Sequence, residues 1–170
     1  MRTIRLVFWL CILCPAAPVF GQPTPVDKAQ PLAASSGAFG IGTNGASVGY
    51  GLEYRFLPEG RGSLHAGRLS LAPAVGVMMT SKHALYVYAG LRSDLRIGDM
   101  WTLTPGFSVG TYAQGQDVDL GGGLEFRSDL EVVRSLGAGW RAGFALQHMS
   151  NGRLYTRNPG ANSLTLIIRF

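Results

Sequence analysis

Cysteine is scarce in this sequence, whose 170 residues include only Cys11 and Cys14. Both precede the point at which we expect the chain to be cut during export, so we expect neither disulfides nor thiol chemistry in the mature protein. Each cysteine follows a leucine, whereas a lipoprotein signal places a small residue before its cysteine. A lipid anchor at either position is therefore disfavoured.

Long apolar runs are also missing, apart from the short run 6–13 near the N-terminus. This run follows Arg2 and Arg5 and leads to small residues before Gln22, which together form a secretory signal peptide. The run is too short to be a membrane-spanning helix. We assign residues 1–21 to a signal peptide, 22–33 to a periplasmic tail and 34–170 to a single domain.

Charge is sparse as well. Asp, Glu, Lys and Arg make up 15% of the residues, and the formal net charge is +5. The basic residues are scattered, so no nucleic-acid partner is expected. The 24 glycines and the 10% of aromatic residues fit a β-barrel, and they argue against a disordered low-complexity chain.

Most of the chain alternates between polar and apolar residues with a period of two, which indicates β-strands. In one segment Val48, Tyr50 and Leu52 alternate with polar residues or glycine. Eight charged residues stand opposite apolar faces of this kind: Glu53, Arg55, Arg92, Asp94, Arg96, Glu125, Arg127 and Asp129. In a soluble sandwich these charges would face water, and in a small membrane barrel they would fill the lumen as ion pairs.

Four features favour the membrane barrel: the signal peptide, strands of ten or more residues, aromatic residues near strand ends, and the terminal Phe170. Membrane strands need roughly 9–11 residues, whereas ordinary strands have about 5–6. The prediction is an all-β fold, an eight-stranded antiparallel transmembrane β-barrel of the outer membrane. Its strands are predicted at 35–42, 46–57, 66–79, 83–97, 100–113, 118–135, 139–150 and 161–170. Pro73 and Pro105 cannot donate ladder hydrogen bonds and should mark bulges or strand starts.

The predicted topology follows from placing both termini in the periplasm. The seventh strand then ends outside the cell, with segment 151–161 exposed there and the 136–139 turn in the periplasm. Eight strands leave no open channel, which disfavours a pore.

The last two predicted strands carry polar residues on their apolar faces. His148 and Ser150 share a face with Leu146, and Asn162 shares one with Leu164. A lipid-facing surface is a costly place for an imidazole, which favours a catalytic role. A serine hydroxyl becomes nucleophilic when a neighbouring imidazole takes its proton, and residues i and i+2 of a strand are close enough for this. The local pattern leaves open that residues 150–152 form only a turn.

Around these residues the sequence resembles the lipid A 3-O-deacylase (PagL-type) family of Gram-negative outer membranes. The motifs that carry the resemblance are His148-x-Ser150-Asn151 and Asn158-Pro159-Gly160-x-Asn162, with glycine-rich segments such as Leu120-Gly121-Gly122 and Gly139-Trp140-Arg141 upstream. It covers most of residues 46–170. The resemblance implies an eight-stranded barrel whose outer surface carries a serine esterase, which removes the ester-linked 3-position acyl chain of lipid A in lipopolysaccharide.

By this resemblance Ser150 is the nucleophile and His148 is its general base. The family's best-known member has a glutamate at the position of Asn162. An asparagine lacks the charge that stabilises an imidazolium, but its amide oxygen can still orient the ring. Asn151 is the candidate oxyanion donor, through its side chain or its backbone N–H.

Further expectations concern the partners. Arg153, Arg157 and Lys82 are candidates to hold the phosphates of lipid A. We expect lipopolysaccharide and membrane lipid as partners, a site facing the outer leaflet, and no cofactor or metal; a homodimer is left open. His65 and His83 fall in predicted turns and are assigned no function. The alternative from another class is a structural or adhesin-like barrel with a vestigial site.

Overall fold

The computed structural model describes residues 30–56, 64–66 and 69–170. The expected signal peptide and most of the expected periplasmic tail lie outside these ranges. The described strands are β1 Leu32–Ile41, β2 Ser47–Arg55, β3 Leu64–Ala66, β4 Leu69–Thr80, β5 Leu85–Ser93, β6 Leu95–Ile97, β7 Trp101–Ala113, β8 Leu124–Gly137, β9 Trp140–Ser150 and β10 Ala161–Arg169. No helix among the described residues is long and apolar enough to cross a membrane.

The ten segments form a closed antiparallel barrel of eight strands. β3 continues β2 along one edge of β4, and β6 continues β5 along β7. The order around the barrel is then β1, β2/β3, β4, β5/β6, β7, β8, β9 and β10, and β10 pairs with β1 to close it. The predicted eight-stranded antiparallel barrel is confirmed.

Two prolines, Pro73 and Pro105, lie within the described strands, opposite the breaks in these composite strands. β4 pairs with β2 from Ala74 onward and with β3 up to Leu71, so Pro73 stands where the ladder is interrupted. Pro105 stands in the corresponding gap of β7, between its pairings with β5 and with β6. Because proline has no N–H to donate, the ladder breaks beside it. Neither proline starts a strand.

The lumen holds a layer of paired charges. Glu53 accepts hydrogen bonds from Arg92 at 2.5 Å and from Arg55 at 2.9 Å. Arg55 also donates to Glu131 at 2.5 Å, and Glu131 accepts from Arg169. These five side chains are buried. Mutual pairing offsets the cost of removing them from water, and it explains why charges alternate with apolar residues along the strands.

The outer face is apolar and exposed, as a membrane-facing surface requires. It includes Leu52, Val87 and Leu166, each more than half exposed. One expected lumen residue departs from the pattern: Arg96 is exposed, because it lies on the short β6, beyond the break that follows β5.

Four longer connections meet at one end of the barrel, which we call the long-loop end: residues 42–46, 81–84, 114–123 and 151–160. Asp117 ties three of them together, since it accepts from Ser47 at 2.6 Å and from Thr80 at 2.5 Å. The prediction that the sixth strand begins at residue 118 was wrong. β8 begins at Leu124, because the preceding residues form a loop in which Gly121 adopts a φ of +90°.

Candidate active site

His148 and Ser150 lie near the end of β9 and Asn162 near the start of β10, at the long-loop end. The antiparallel register sets His148 directly opposite Asn162. Both side chains are exposed on the outer face, in phase with the exposed Leu146 and Leu164, and Ser150 is half-buried. The three residues thus share one small patch of the apolar surface.

A hydrogen bond joins the His148 ring to Asn162. The distance from His148 Nδ1 to Asn162 Oδ1 is 2.9 Å. An amide oxygen can only accept, so in this pair Nδ1 carries the proton and Nε2 is left with its lone pair. This is the tautomer that a general base needs. Among the described residues no carboxylate pairs with His148. The described part of the chain also contains no cluster of three or more His, Cys, Asp or Glu side chains that could hold a metal ion.

Gly160 brings the loop 151–160 against the imidazole. Its φ is +68°, and a Cβ at this position would lie 3.1 Å from His148 Cε1 and 3.6 Å from Nε2. A side chain here would be strained and would crowd the edge of the ring that must accept a proton. The Pro159-Gly160 turn therefore does more than connect β9 to β10, because it keeps the space beside Nε2 open.

Asn151 is fully buried behind Ser150 and joins two loops. Its Nδ2 donates to the carbonyl oxygens of Leu120 at 2.8 Å and Arg157 at 2.7 Å. Its Oδ1 accepts from the Arg153 N–H at 3.0 Å, and its own N–H donates to Asn158 Oδ1 at 3.1 Å. All of its donors are engaged, so the structure gives Asn151 a role that the sequence did not suggest, that of holding loops 114–123 and 151–160 together.

The sequence predicts no role for Asn158 beyond its place in the Asn158-Pro159-Gly160 motif. Its Oδ1 is anchored on Asn151, next to the predicted nucleophile, while its Nδ2 has no hydrogen-bond partner among the described residues. The signal that could have singled it out is its amide side chain immediately before the Pro159-Gly160 turn.

The three candidate phosphate-binding cations do not converge. Arg157 is paired with Asp119, with 2.5 Å between Nη1 and Oδ2. The backbone N–H of Gly121 and the Arg157 guanidinium hold the pKa of Asp119 below its usual range, so this ion pair persists as the pH falls through the range where aspartates normally protonate. Lys82 donates to the Gly45 carbonyl at 2.9 Å, on a different loop. The Arg153 side chain is exposed beside the site.

Aromatic residues flank Ser150 on the β8 side. Phe126 is the β8 residue opposite Ser150, and its ring stacks on Phe107 with 6.0 Å between centroids. Tyr155 lies over Gly122, and its hydroxyl accepts from the Leu124 N–H at 3.2 Å. Ser150 therefore lies between the polar pair of His148 and Asn162 on one side and an apolar surface of β8 and β7 on the other.

Comparison with known proteins places this geometry in context. Residues 44–170 match the family model for lipid A 3-O-deacylase (PagL). Among solved structures, the crystal structure of the outer membrane enzyme PagL is similar with a TM-score of 0.59 and 19% identity, covering 82% of this chain and 97% of that chain. A chain from the de novo design of transmembrane β-barrels has a TM-score of 0.47 and 10% identity, covering 85% of this chain and 98% of that chain. No curated protein sequence matches the chain.

Proposed function

The chain belongs to the lipid A 3-O-deacylase (PagL) family, and we propose that its deacylase site is built from Ser150, His148 and Asn162. It is an ester hydrolase in an outer-membrane β-barrel, and membership implies that its substrate is lipid A. The observation that carries the assignment of residues is the 2.9 Å hydrogen bond between His148 and Asn162 on the outer face. No structural need accounts for this pair on a surface that faces lipid.

The chemistry proceeds through an acyl-enzyme. Ser150 Oγ attacks the carbonyl carbon of the ester at the 3-position while His148 Nε2 takes the hydroxyl proton. The tetrahedral intermediate collapses, and the sugar oxygen leaves with the proton that His148 returns. A water molecule then attacks the acyl-enzyme, His148 accepts its proton, and the fatty acid departs as Ser150 regains its hydrogen. Asn162 keeps Nδ1–H directed away from Ser150 throughout.

Two supporting roles are proposed with the triad. Asn151 remains our predicted oxyanion donor, and this role requires one of its N–H groups to leave its present partner. Among the cations, Arg153 is the one we assign to a lipid A phosphate, since Arg157 is neutralised by Asp119 and Lys82 is held at Gly45. Both assignments depend on the loop 151–160, which carries Arg153 and surrounds Asn151.

The direct test of this function is the mass of lipid A in cells that do and do not produce the protein. We expect a new lipid A species that has lost one acyl chain, since hydrolysis of the ester at the 3-position releases that chain as a free acid. Cells that produce the Ser150→Ala variant at the same level are the control and should keep the original mass. An unchanged spectrum with the folded wild-type protein would instead favour the structural or adhesin-like barrel.

We further propose that the long-loop end faces outward, which places the site at the level of the outer leaflet. The arrangement of β9 and β10 supports this, because the connection 151–160 is long whereas the turn after β8 is tight, with Gly137, Ala138 and Gly139 all at positive φ. Single cysteines at Arg153 and at Ala138 can be probed on whole cells with a membrane-impermeant thiol reagent. We expect labelling at position 153 and none at 138 until the cells are opened. The reverse pattern would invert the topology.

A further inference from the structure

One arginine interrupts the apolar outer face of the barrel, far from the candidate active site. Arg134 is exposed on β8 and lies in phase with the exposed Leu130, Val132 and Leu136. In the strands that the structure describes, it is the only Asp, Glu, Lys or Arg that shares the parity of the outer face. The other charged side chains of β8 are buried in the lumen. Arg134 therefore takes no part in the charge layer, and its position requires a separate explanation.

The guanidinium of Arg134 has no anionic partner in the part of the chain that the structure describes. Its one hydrogen bond there goes to the thioether of Met100, with 3.7 Å between Nη2 and Sδ, and a thioether is a weak acceptor. The buried Arg92 and Arg169, by contrast, each pair with a carboxylate. A guanidinium has five N–H donors, so most of those of Arg134 are available to an acceptor from outside the chain.

Arg134 lies near the membrane boundary opposite the candidate active site. Phe126 is the β8 partner of Ser150, and from Phe126 to Arg134 the strand runs about 27 Å at about 3.4 Å per residue. Strands of such barrels are tilted by about 35–45°, so this length corresponds to about 20 Å of depth in an apolar band about 25 Å tall. The chain turns soon afterwards, at Gly137.

Aromatic side chains mark the same level. Trp101 is the β7 partner of Arg134 and is about half exposed. Trp140, at the start of β9, stacks on Phe170 with 5.2 Å between ring centroids. Tryptophans of membrane barrels lie at the level of the lipid headgroups. Arg134 thus stands in an aromatic girdle, where its charge is within reach of the headgroups of the neighbouring leaflet.

We propose that Arg134 binds the phosphate of a glycerophospholipid in the leaflet opposite the candidate active site. A phosphate diester offers two oxygens to the fork of a guanidinium, and such charge-assisted pairs are among the strong hydrogen bonds. With the phosphate at Arg134, the acyl chains extend into the apolar layer over Val132 and Phe144, which are partners in the next row of the outer face. The site does not depend on the chemistry of Ser150. Its leaflet follows from the proposed outward orientation of the long-loop end.

Lipid binding to the detergent-solubilised protein tests the proposal by native mass spectrometry. Wild type and Arg134→Gln are titrated with phosphatidylglycerol and with the diacylglycerol that has the same acyl chains but no phosphate. We expect wild type to bind phosphatidylglycerol at least 10-fold more tightly than Arg134→Gln does, which is the order of effect of a charge-assisted hydrogen bond. Diacylglycerol should bind both proteins weakly and equally.

Arg96→Gln is the matched control. Arg96 is also an exposed arginine near this end of the barrel, but it lies opposite the buried Thr102 and so has the parity of the lumen. Its affinity for phosphatidylglycerol should equal that of wild type, and heat-modifiable migration should show each variant folded. If Arg134→Gln does not fold, Arg134→Met replaces it.

Three results would overturn the proposal. Equal affinity of wild type and the uncharged variant for phosphatidylglycerol would leave Arg134 as a hydrated arginine without a lipid. Equal binding of diacylglycerol and phosphatidylglycerol to wild type would exclude the phosphate as the recognised group. Purified lipopolysaccharide that binds through Arg134 more tightly than phosphatidylglycerol does would assign the site to the other leaflet. None of these measurements requires hydrolysis, so failure of the proposed deacylase function would be seen separately.

Discussion

Ser150→Ala and His148→Ala each abolish release of the 3-position acyl chain, with an expected loss of about 10⁶-fold in turnover. This is the order of effect seen when the serine or the histidine of a hydrolase triad is removed, because the two groups act as one unit. The double variant should be no slower than either single variant. Initial rates on purified lipopolysaccharide in detergent measure the loss.

The matched control for this result is Ser128→Ala. Ser128 is an exposed serine of the outer face that lies opposite His148 on β8, so the substitution removes the same hydroxyl from the other side of the same ring. We expect the Ser128→Ala rate to equal that of wild type. All three variants should keep the heat-modifiable migration of a folded barrel. If Ser128→Ala were inactive and Ser150→Ala active, the nucleophile would lie on β8.

Asn162→Ala should lower turnover by about 10⁴-fold, the order of loss when the third member of a serine triad is removed. The physical reason is that the acceptor for His148 Nδ1–H disappears, which frees the ring to rotate and to adopt the wrong tautomer. Asn162→Glu should keep or raise the wild-type rate, because a carboxylate accepts the same hydrogen bond and also stabilises the imidazolium.

The pair of substitutions separates three cases when initial rates are measured on the same substrate. Loss in Asn162→Ala with retention in Asn162→Glu identifies Asn162 as the orienting residue. Nearly silent effects in both would leave a catalytic dyad of Ser150 and His148. A large loss in Asn162→Glu would show that the site depends on a neutral partner, contrary to our expectation.

The period of two predicted the strands and the face of each side chain, whereas the signal peptide, the strand lengths and the aromatic residues were needed to favour a membrane barrel over a soluble sandwich. Alternation alone put His148 and Ser150 on the same apolar face and assigned Glu53 and Arg55 to the opposite one. The face assigned to a side chain does not change when a strand limit is wrong by a residue or two, because the face depends on side-chain direction and not on where pairing ends. For this reason the faces predicted for the side chains of His148 and Asn162 agree with the structure, although the limits of several strands differ.

The contacts among the candidate site residues were harder to predict from the sequence. The direct pairing of His148 with Asn162 depends on register, which the length and shape of the loop 151–160 determine. Asn151 reads as an exposed turn residue next to Gly152, yet it is buried because a distant loop supplies the Leu120 carbonyl. The start of β8 was misplaced for a related reason: the alternation continues into a segment that tertiary contacts hold as a loop.

The charge layer of the lumen also affects how such a chain can reach the outer membrane. A protein of the outer membrane must first pass through the inner one, where an apolar segment long enough to form a helix would be retained. β8 carries Glu125, Arg127, Asp129, Glu131 and Arg134 within fourteen residues, and an Asp or Arg costs about 2.5–3.5 kcal/mol at the centre of a membrane helix. The β8 segment is therefore not retained in the inner membrane as a helix. Arg127, Asp129 and Glu131, which pair with opposite charges in the finished barrel, thus also help the unfolded strand to pass through the inner membrane.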